Sequence, residues 1–481
     1  MNYKMVFYMI GTIFKIMGIA MLAPLFISLG FGESVLPFVY TLIIFLGLGF
    51  ALGPKRPKDQ TMYAKEGIVV VCISWICISL IGCLPYIFSK EIPYFVNALF
   101  ETVSGFTTTG SSVVNNVEAL SKGILFWRSF THFLGGMGIL FILLVVMPKS
   151  ESGAMHLLKV ESGGPKVEKL TSKIKYTALI LYAIYLVLML VYFIFLLCGG
   201  VGWFDALTLS FSVAGTGGFT NYNNGILHFG SLYIEIITSV FMMMFAINFA
   251  IYFLIITGKF IQVLKNEELR TFIIIIFISI IFISLNIMNQ VGGFGEALRQ
   301  SSINILSIIS CTGISSYDFS VWPAFSKVLL IMLTMLGGCA GSTAGGYKVT
   351  RLVSLTKISA FKIKSSVNPR SMAVLKIEGK PQDDSYISGI MFFTVIYFMV
   401  VCVSTLVMSI DPATDVTTSL TTTLFNFNNV GLGLGNTNAN IIASLTGFSK
   451  VFLSFVMLVG RLDIIPILIL FAPSTWRRRY A

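Results

Sequence analysis

Charge is scarce in this chain: only 11% of its 481 residues are Asp, Glu, Lys or Arg, while 56% are hydrophobic, and the mean hydropathy is +0.88. That leaves too little polar surface to cover a soluble globule, so the composition excludes a soluble domain and points to a polytopic membrane protein. HExxH, GxSxG and paired intramembrane acids are all missing, so an enzyme would lack its nucleophile, base or metal cluster. The seven cysteines (Cys72, Cys77, Cys83, Cys198, Cys311, Cys339, Cys402) have neither CxxC nor Cys/His metal spacing and read as small apolar residues. His132, His156 and His228 are isolated and read as ordinary. No small-residue cleavage site follows the first apolar run, which is therefore expected to stay as a span. No basic stretch is interleaved with stacking aromatics, so the net charge of +12 does not suggest nucleic acid.

What is present is a unit that returns. ALFETVSGFTTTG at 98–110 is followed by ALTLSFSVAGTGG at 206–218, SSINILSIISCTG at 301–313 and SLTTTLFNFNNVG at 419–431. Each begins with a small residue, runs through an apolar, hydroxyl-bearing segment and ends on glycine at the same offset. Each also lies between two long hydrophobic runs, the mark of an internally repeated membrane protein. Twelve residues of helix rise about 18 Å, enough to reach the middle of a hydrocarbon core roughly 30 Å thick but not to cross it. Each unit must enter and return, and its non-helical backbone must be buried in protein or line water. Any one copy alone reads better as a small-residue packing site. Four of equal length, each in the same position between two spans, reverse that preference.

The pattern predicts an all-α polytopic membrane protein with two N-terminal spans and four span, re-entrant pore loop, span repeats around a pseudo-fourfold central pore. The spans are expected at 6–29 and 35–52, then 69–87 and 125–147, 178–197 and 232–257, 271–288 and a span from Phe325, and 388–410 and 448–471. The corresponding units are a two-span domain at 1–60 and pore repeats at 61–150, 151–260, 261–380 and 381–481. Lys and Arg collect at 55–65, 149–175, 259–270, 348–380 and 477–479, all on one side of this topology. By the positive-inside rule both termini face the cytoplasm; the membrane is expected to be the cytoplasmic (inner) one.

One segment breaks the pattern. The span from Phe325 runs into LGGCAGSTAGG, where five glycines fall within 337–346 and disfavour helix by about 0.5–1 kcal/mol each relative to Ala. A helix from Phe325 to Gly337 rises about 18 Å, which puts the break near mid-membrane, where irregular backbone is expected to line a pathway. Four equivalent loops around one axis supply backbone carbonyls that can replace the water shell of an alkali cation. The candidate glycines are Gly110, Gly218, Gly313 and Gly431. Half-helices ending at mid-membrane turn the negative ends of their dipoles toward that cation.

SGFTTTG (104–110), FWRSFTHFLGGMGI (126–139), GGCAGSTAGGYKVTR (337–351), NNVGLG (428–433) and MLVGRLDI (457–464) resemble the bacterial Trk/Ktr/HKT potassium-transporter superfamily. With the extra N-terminal pair of spans, the chain is most similar to the TrkH-type membrane subunits, over essentially its whole length. The resemblance implies potassium uptake, a homodimer with one pore per subunit, and a cytoplasmic TrkA-type regulatory subunit that reads a nucleotide, ATP/ADP or NAD(H). No covalent cofactor is implied; potassium is the substrate. Carried onto this sequence, the potassium-binding filter is Thr109, Gly110, Gly217, Gly218, Thr312, Gly313, Val430 and Gly431. The gate is Gly337, Gly338, Gly341, Ser342, Thr343, Gly345 and Gly346, with Arg461 beside it. Gly217 next to Gly218 leaves the filter glycine of the second loop to be chosen by the equal-length alignment. Gly110, where sodium-preferring relatives carry serine, implies potassium.

Among the few interior charges, Arg461 and Asp463 read equally as a structural ion pair or as gate elements. Arg128 and Lys348 read as snorkelling, and Glu101 as a negative charge above or beside the pore. A proton- or sodium-coupled carrier is the alternative function and would have to use Asp463 or Glu235. Anionic lipid alone could account for the basic inner surface.

Overall fold

The structure is a computed structural model, and it describes residues 1–59, 64–138, 174–314, 316–368, 375–432 and 440–476. Residues 149–173 of the basic cluster at 149–175, the cluster at 477–479, the latter half of the span expected at 125–147, and His156 lie outside the described residues. Within them the chain is helical, apart from one antiparallel pair of two-residue strands, Lys376–Ile377 and Lys380–Pro381.

Among the described residues five helices are long and apolar enough to cross a membrane: Tyr3–Gly30, Lys65–Phe88, Tyr176–Cys198, Glu267–Ile287 and Asp384–Met408. Their burial shows how apolar sequence alone cannot say which face turns inward. On Asp384–Met408 the buried residues are Ile390, Phe393, Tyr397, Val401, Ser404 and Met408, a stripe at helical spacing. The rest of that helix is just as apolar but exposed, as at Val395, Val403 and Leu406. A helix apolar all round with a single packed stripe suits a lipid solvent, and the chain is a multi-pass membrane protein. Tyr3–Ala20 and Leu36–Leu52 pack backbone to backbone through glycine: a Cβ on Gly11 would lie 2.7 Å from the Gly53 nitrogen. Small residues are what allow membrane helices to approach this closely.

Two of the expected spans are not single helices. Leu232–Ala246 and Phe249–Ile256 meet at 95°, and Gly447–Leu462 and Ile464–Phe471 meet at 113°. At the first bend the Asn248 side chain caps the following helix by accepting from the Ala250 N–H at 2.9 Å. At the second, Asp463 takes φ 67° and its carboxylate accepts from Arg351 Nη2 at 2.5 Å. At the first bend a polar side chain inside an apolar run has taken a backbone partner and helped to end the helix; at the second the Asp463 side chain makes no capping bond to the following helix and is held by Arg351 instead. Four short helices lie on the repeated units: Phe95–Phe106, Trp203–Ala214, Phe294–Ile309 and Val416–Phe427. The third has 16 residues and starts at Phe294, seven positions before the repeat unit, because Gly292 and Gly293 (φ 87° and 127°) end the preceding segment there.

Two charges at the first short helix correct the sequence reading. Arg128 does not snorkel and Glu101 is not a free negative charge. Both side chains are at most 2% exposed, and Arg128 Nε donates to Glu101 Oε1 at 2.8 Å. The Glu101 carboxylate also accepts from the Val113 N–H at 3.0 Å and the Ser112 hydroxyl at 2.9 Å. The pair therefore anchors the segment after the first loop. Arg128→Met should lower stability by about 3–5 kcal/mol, because it leaves a carboxylate buried without its cation. The double change Glu101→Leu/Arg128→Met should cost less than that single change, and thermal unfolding of the detergent-solubilised protein would check the order.

Candidate functional site

The four short helices end alike. Thr109 N–H donates to Ser104 O, Gly217 to Ser212, Thr312 to Ser307 and Val430 to Phe425, at 2.8 to 3.0 Å. One residue earlier, Thr108 bonds Gly105 O, Thr216 Val213 O, Cys311 Ile308 O and Asn429 Asn426 O. This is a Schellman ending, with the left-handed residue one place before the longer bond. Here that residue is never glycine: Thr108, Thr216, Cys311 and Asn429 take φ of 54°, 55°, 57° and 55°. The glycine of each repeat unit comes two residues after it and has a different task.

That task is close approach. Gly110, Gly218, Gly313 and Gly431 also have positive φ, 85°, 87°, 67° and 74°. A Cβ on Gly110 would fall 2.0 Å from Gly217 O, and one on Gly218 2.1 Å from Thr312 O. One on Gly313 would fall 1.6 Å from Val430 O, and one on Gly431 2.0 Å from Thr109 O. The contacts run from loop one to two, two to three, three to four and four back to one. Loops can close such a circuit only by encircling one axis. All eight residues, Thr109, Gly110, Gly217, Gly218, Thr312, Gly313, Val430 and Gly431, thus meet at four seams. The four glycines also share the wall of one cavity of about 390 Å³, with Ser112, Thr220 and Thr422.

The glycine-rich loop between Ala324–Leu336 and Val349–Val367 lies against the helix-end side of this ring. A Cβ on Gly345 would lie 2.4 Å from Asn428 O at the end of the fourth short helix, and the Cys311 thiol lies against the backbone of Gly338 and Gly345. Gly337, Gly341 and Gly346 have φ of 68°, 72° and 83°. Without helical bonds the loop is nonetheless held firmly. Cys339 N–H donates to Ala246 O at 2.9 Å, the Thr343 hydroxyl to Phe245 O at 3.1 Å, and Phe249 N–H to Gly341 O at 3.2 Å. The loop thus pairs the backbone groups freed at the 95° bend. Ser342 bonds within the loop, to Cys339 O at 2.6 Å.

Charged side chains supply the remaining partners. Arg461 donates from Nη1 to Thr343 O at 2.8 Å and from Nη2 to Gly135 O and Gly136 O at 2.7 and 2.8 Å. It thereby joins the loop to the π-helical turn Leu134–Gly138. Asp463 pairs with Arg351 and not with Arg461. Lys348 is buried and donates from Nζ to Ala344 O, which corrects its reading as a snorkelling residue. Glu268, which the sequence reading passed over, is buried and accepts from the Ala340 N–H at 2.7 Å and from the Thr350 hydroxyl. Glu268 sits in an acidic first helical turn, and local pattern gives such residues a solvated role. Asn248 could have been found, as a lone amide in the apolar run FAINFAI.

Comparison with known proteins identifies the family of the chain. The family model for TrkH, described as cation transport protein, matches residues 36–478. The Trk system potassium uptake protein TrkH of Vibrio parahaemolyticus is 31% identical over 487 aligned positions, covering 99% of this chain and 100% of its own. The Trk system potassium uptake protein TrkG of Escherichia coli is 30% identical over 483 positions, covering 99% of both chains. The crystal structure of the potassium transporter TrkH from Vibrio parahaemolyticus matches with a TM-score of 0.87 at 30% identity, covering 99% of this chain and 100% of that one. The chain therefore belongs to the TrkH family of cation transport proteins.

Proposed function

We propose that this protein takes up potassium across the cytoplasmic membrane through a pore on the axis of the four loops, with both termini cytoplasmic. The observation that carries this reading is the closed circuit of glycine and carbonyl contacts. A ring whose oxygens are set by backbone packing offers fixed dipoles in place of a hydration shell. The four short helices point their C-terminal ends at it, which favours a cation. The residues before and at each ring glycine form the selectivity filter, and the two N-terminal helices stand outside the four repeats. Relatives of 30% identity or more carry potassium uptake in their names.

The glycine-rich loop is the gate. It lies where it can block the axis, and it is fixed by partners on several different elements, so a shift of any of them changes its seat. A homodimer and a cytoplasmic TrkA-type subunit that answers to ATP/ADP or NAD(H) complete the assembly. The names of the relatives, which speak of a Trk system, support more than one component. A proton- or sodium-coupled carrier draws no support from Asp463 or Glu235, since each carboxylate is paired with arginine, Arg351 and Arg299.

Selectivity is tested by flux of potassium and sodium into proteoliposomes. Gly110→Ser, Gly218→Ser, Gly313→Ser and Gly431→Ser should each raise sodium permeation. Gly135→Ser, at a glycine where a Cβ would meet Phe106 O at 1.8 Å, should mainly reduce assembly. Unchanged selectivity in all four ring variants would sink the reading.

Gating is tested in the same vesicles. Deleting 340–344 should raise potassium flux and weaken its dependence on a TrkA-type subunit, and Arg461→Ala and Glu268→Ala should do so to a smaller extent. A folded deletion protein no more conductive than the parent would make the loop a packing feature.

For the partner, a co-expressed TrkA-type subunit should co-purify with the protein and confer a nucleotide response on flux; no association and no response would remove it from the assembly.

A further inference from the structure

Three loops carry a side chain on the residue before the ring glycine: Thr109, Thr312 and Val430. The second loop has Gly217 there, and the gap is filled from elsewhere. A Cβ on Gly217 would lie 2.2 Å from both Cγ and Nδ1 of His132 and 2.5 Å from its Cε1. The imidazole of His132, on the helix Lys122–Phe133, thus stands where the other loops place their own atoms.

Like the two threonines, it is held by hydrogen bonds, though to backbone and not to side chains. The Thr109 hydroxyl bonds Thr107 at 2.8 Å and Asn429 Nδ2 at 2.9 Å, and Thr312 bonds Ser310 at 2.7 Å. His132 is fully buried, with Nδ1 2.9 Å from Gly105 O and Nε2 3.3 Å from the Phe219 N–H. A carbonyl only accepts and an amide only donates, so the neutral ring protonated on Nδ1 satisfies both. Gly105 lies in the last turn of the first short helix, and Phe219 directly follows the ring glycine of the second loop. One rigid ring therefore sets the separation of two adjacent loops. The Phe219 ring lies 4.2 Å from the imidazole and 4.1 Å from the Arg128 guanidinium carbon, which leaves it little freedom to turn away.

We infer that His132 is a positioning residue for selectivity, standing in for the side chain that the second loop lacks and fixing that loop against the first. This rests on the four-loop filter proposed above. It also accounts for the doubled glycine, Gly217–Gly218: the first of the two makes room for the imidazole.

The test compares potassium and sodium flux in proteoliposomes for His132→Ala, Gly217→Thr, the double variant His132→Ala/Gly217→Thr, and Gly431→Ser as a reference. His132→Ala should lower the potassium-to-sodium ratio by about tenfold, the scale of one buried hydrogen bond. Gly217→Thr alone should also lower it, since the new side chain collides with the ring. The double variant should recover selectivity above either single change. A residue needed only for folding would change protein yield and the flux of both ions together, and filling the gap from the loop would not restore a ratio. A parental ratio in His132→Ala, or a double variant no better than the singles, overturns the inference. If His132→Ala does not fold, Gly217→Ala takes its place, because a lone Cβ must still displace the ring; a parental ratio there overturns the inference too. If Gly431→Ser leaves the ratio unchanged, the filter reading falls and this one with it. If Gly431→Ser shifts the ratio and the position 132 and 217 variants do not, only this inference falls.

Discussion

Everything near the axis depends on four places where a carbonyl oxygen of one loop lies against the Cα of the next, so close that only a hydrogen fits between them. Because the contacts form a closed circuit, no loop can move outward without opening a seam on each side. Packed interiors respond to such changes in steps and not continuously. The local backbone is held in an unfavourable state to reach this arrangement. Thr108, Thr216, Cys311 and Asn429 are left-handed, at a cost of roughly 1–2 kcal/mol each. Each is offset by the two hydrogen bonds that close its helix and by nearly complete burial. Strain repeated identically at four positions marks a conformation the fold insists on.

A second layer depends on the first. The glycine-rich loop touches the ends of the third and fourth short helices and supplies partners for backbone groups freed at the 95° bend. Two irregular segments thus satisfy each other inside a membrane protein, where neither could face lipid. The loop's bonds come from separate helices.

Several of the scarce charges share one habit. Arg461 bonds three backbone carbonyls, Lys348 one, Glu268 the Ala340 N–H and Glu101 the Val113 N–H. A charge in an apolar interior is stabilised by whatever dipoles it can reach, and here those are the peptide groups that regular helices left unpaired. Pairing by sequence neighbourhood fails for this reason: Arg461 and Asp463 are two residues apart, yet each finds its partner on a different element.

Composition and local pattern are enough to establish that the chain is a helical membrane protein, that it contains a unit used four times, and that each unit ends on glycine at a fixed offset. These follow from composition and from local hydrogen-bonding and steric rules, which act over a few residues. Tertiary structure alone decided what each glycine faces, because the oxygen that excludes a side chain at Gly110 belongs to Gly217, more than a hundred residues away. It also decided that 232–257 and 448–471 bend, since a bend at Asn248 or Asp463 is stable only when Gly341, Cys339 or Arg351 arrives to pair with it. His132 shows the boundary most plainly: an isolated histidine in sequence, it becomes the neighbour of a missing side chain only when two repeats fold side by side.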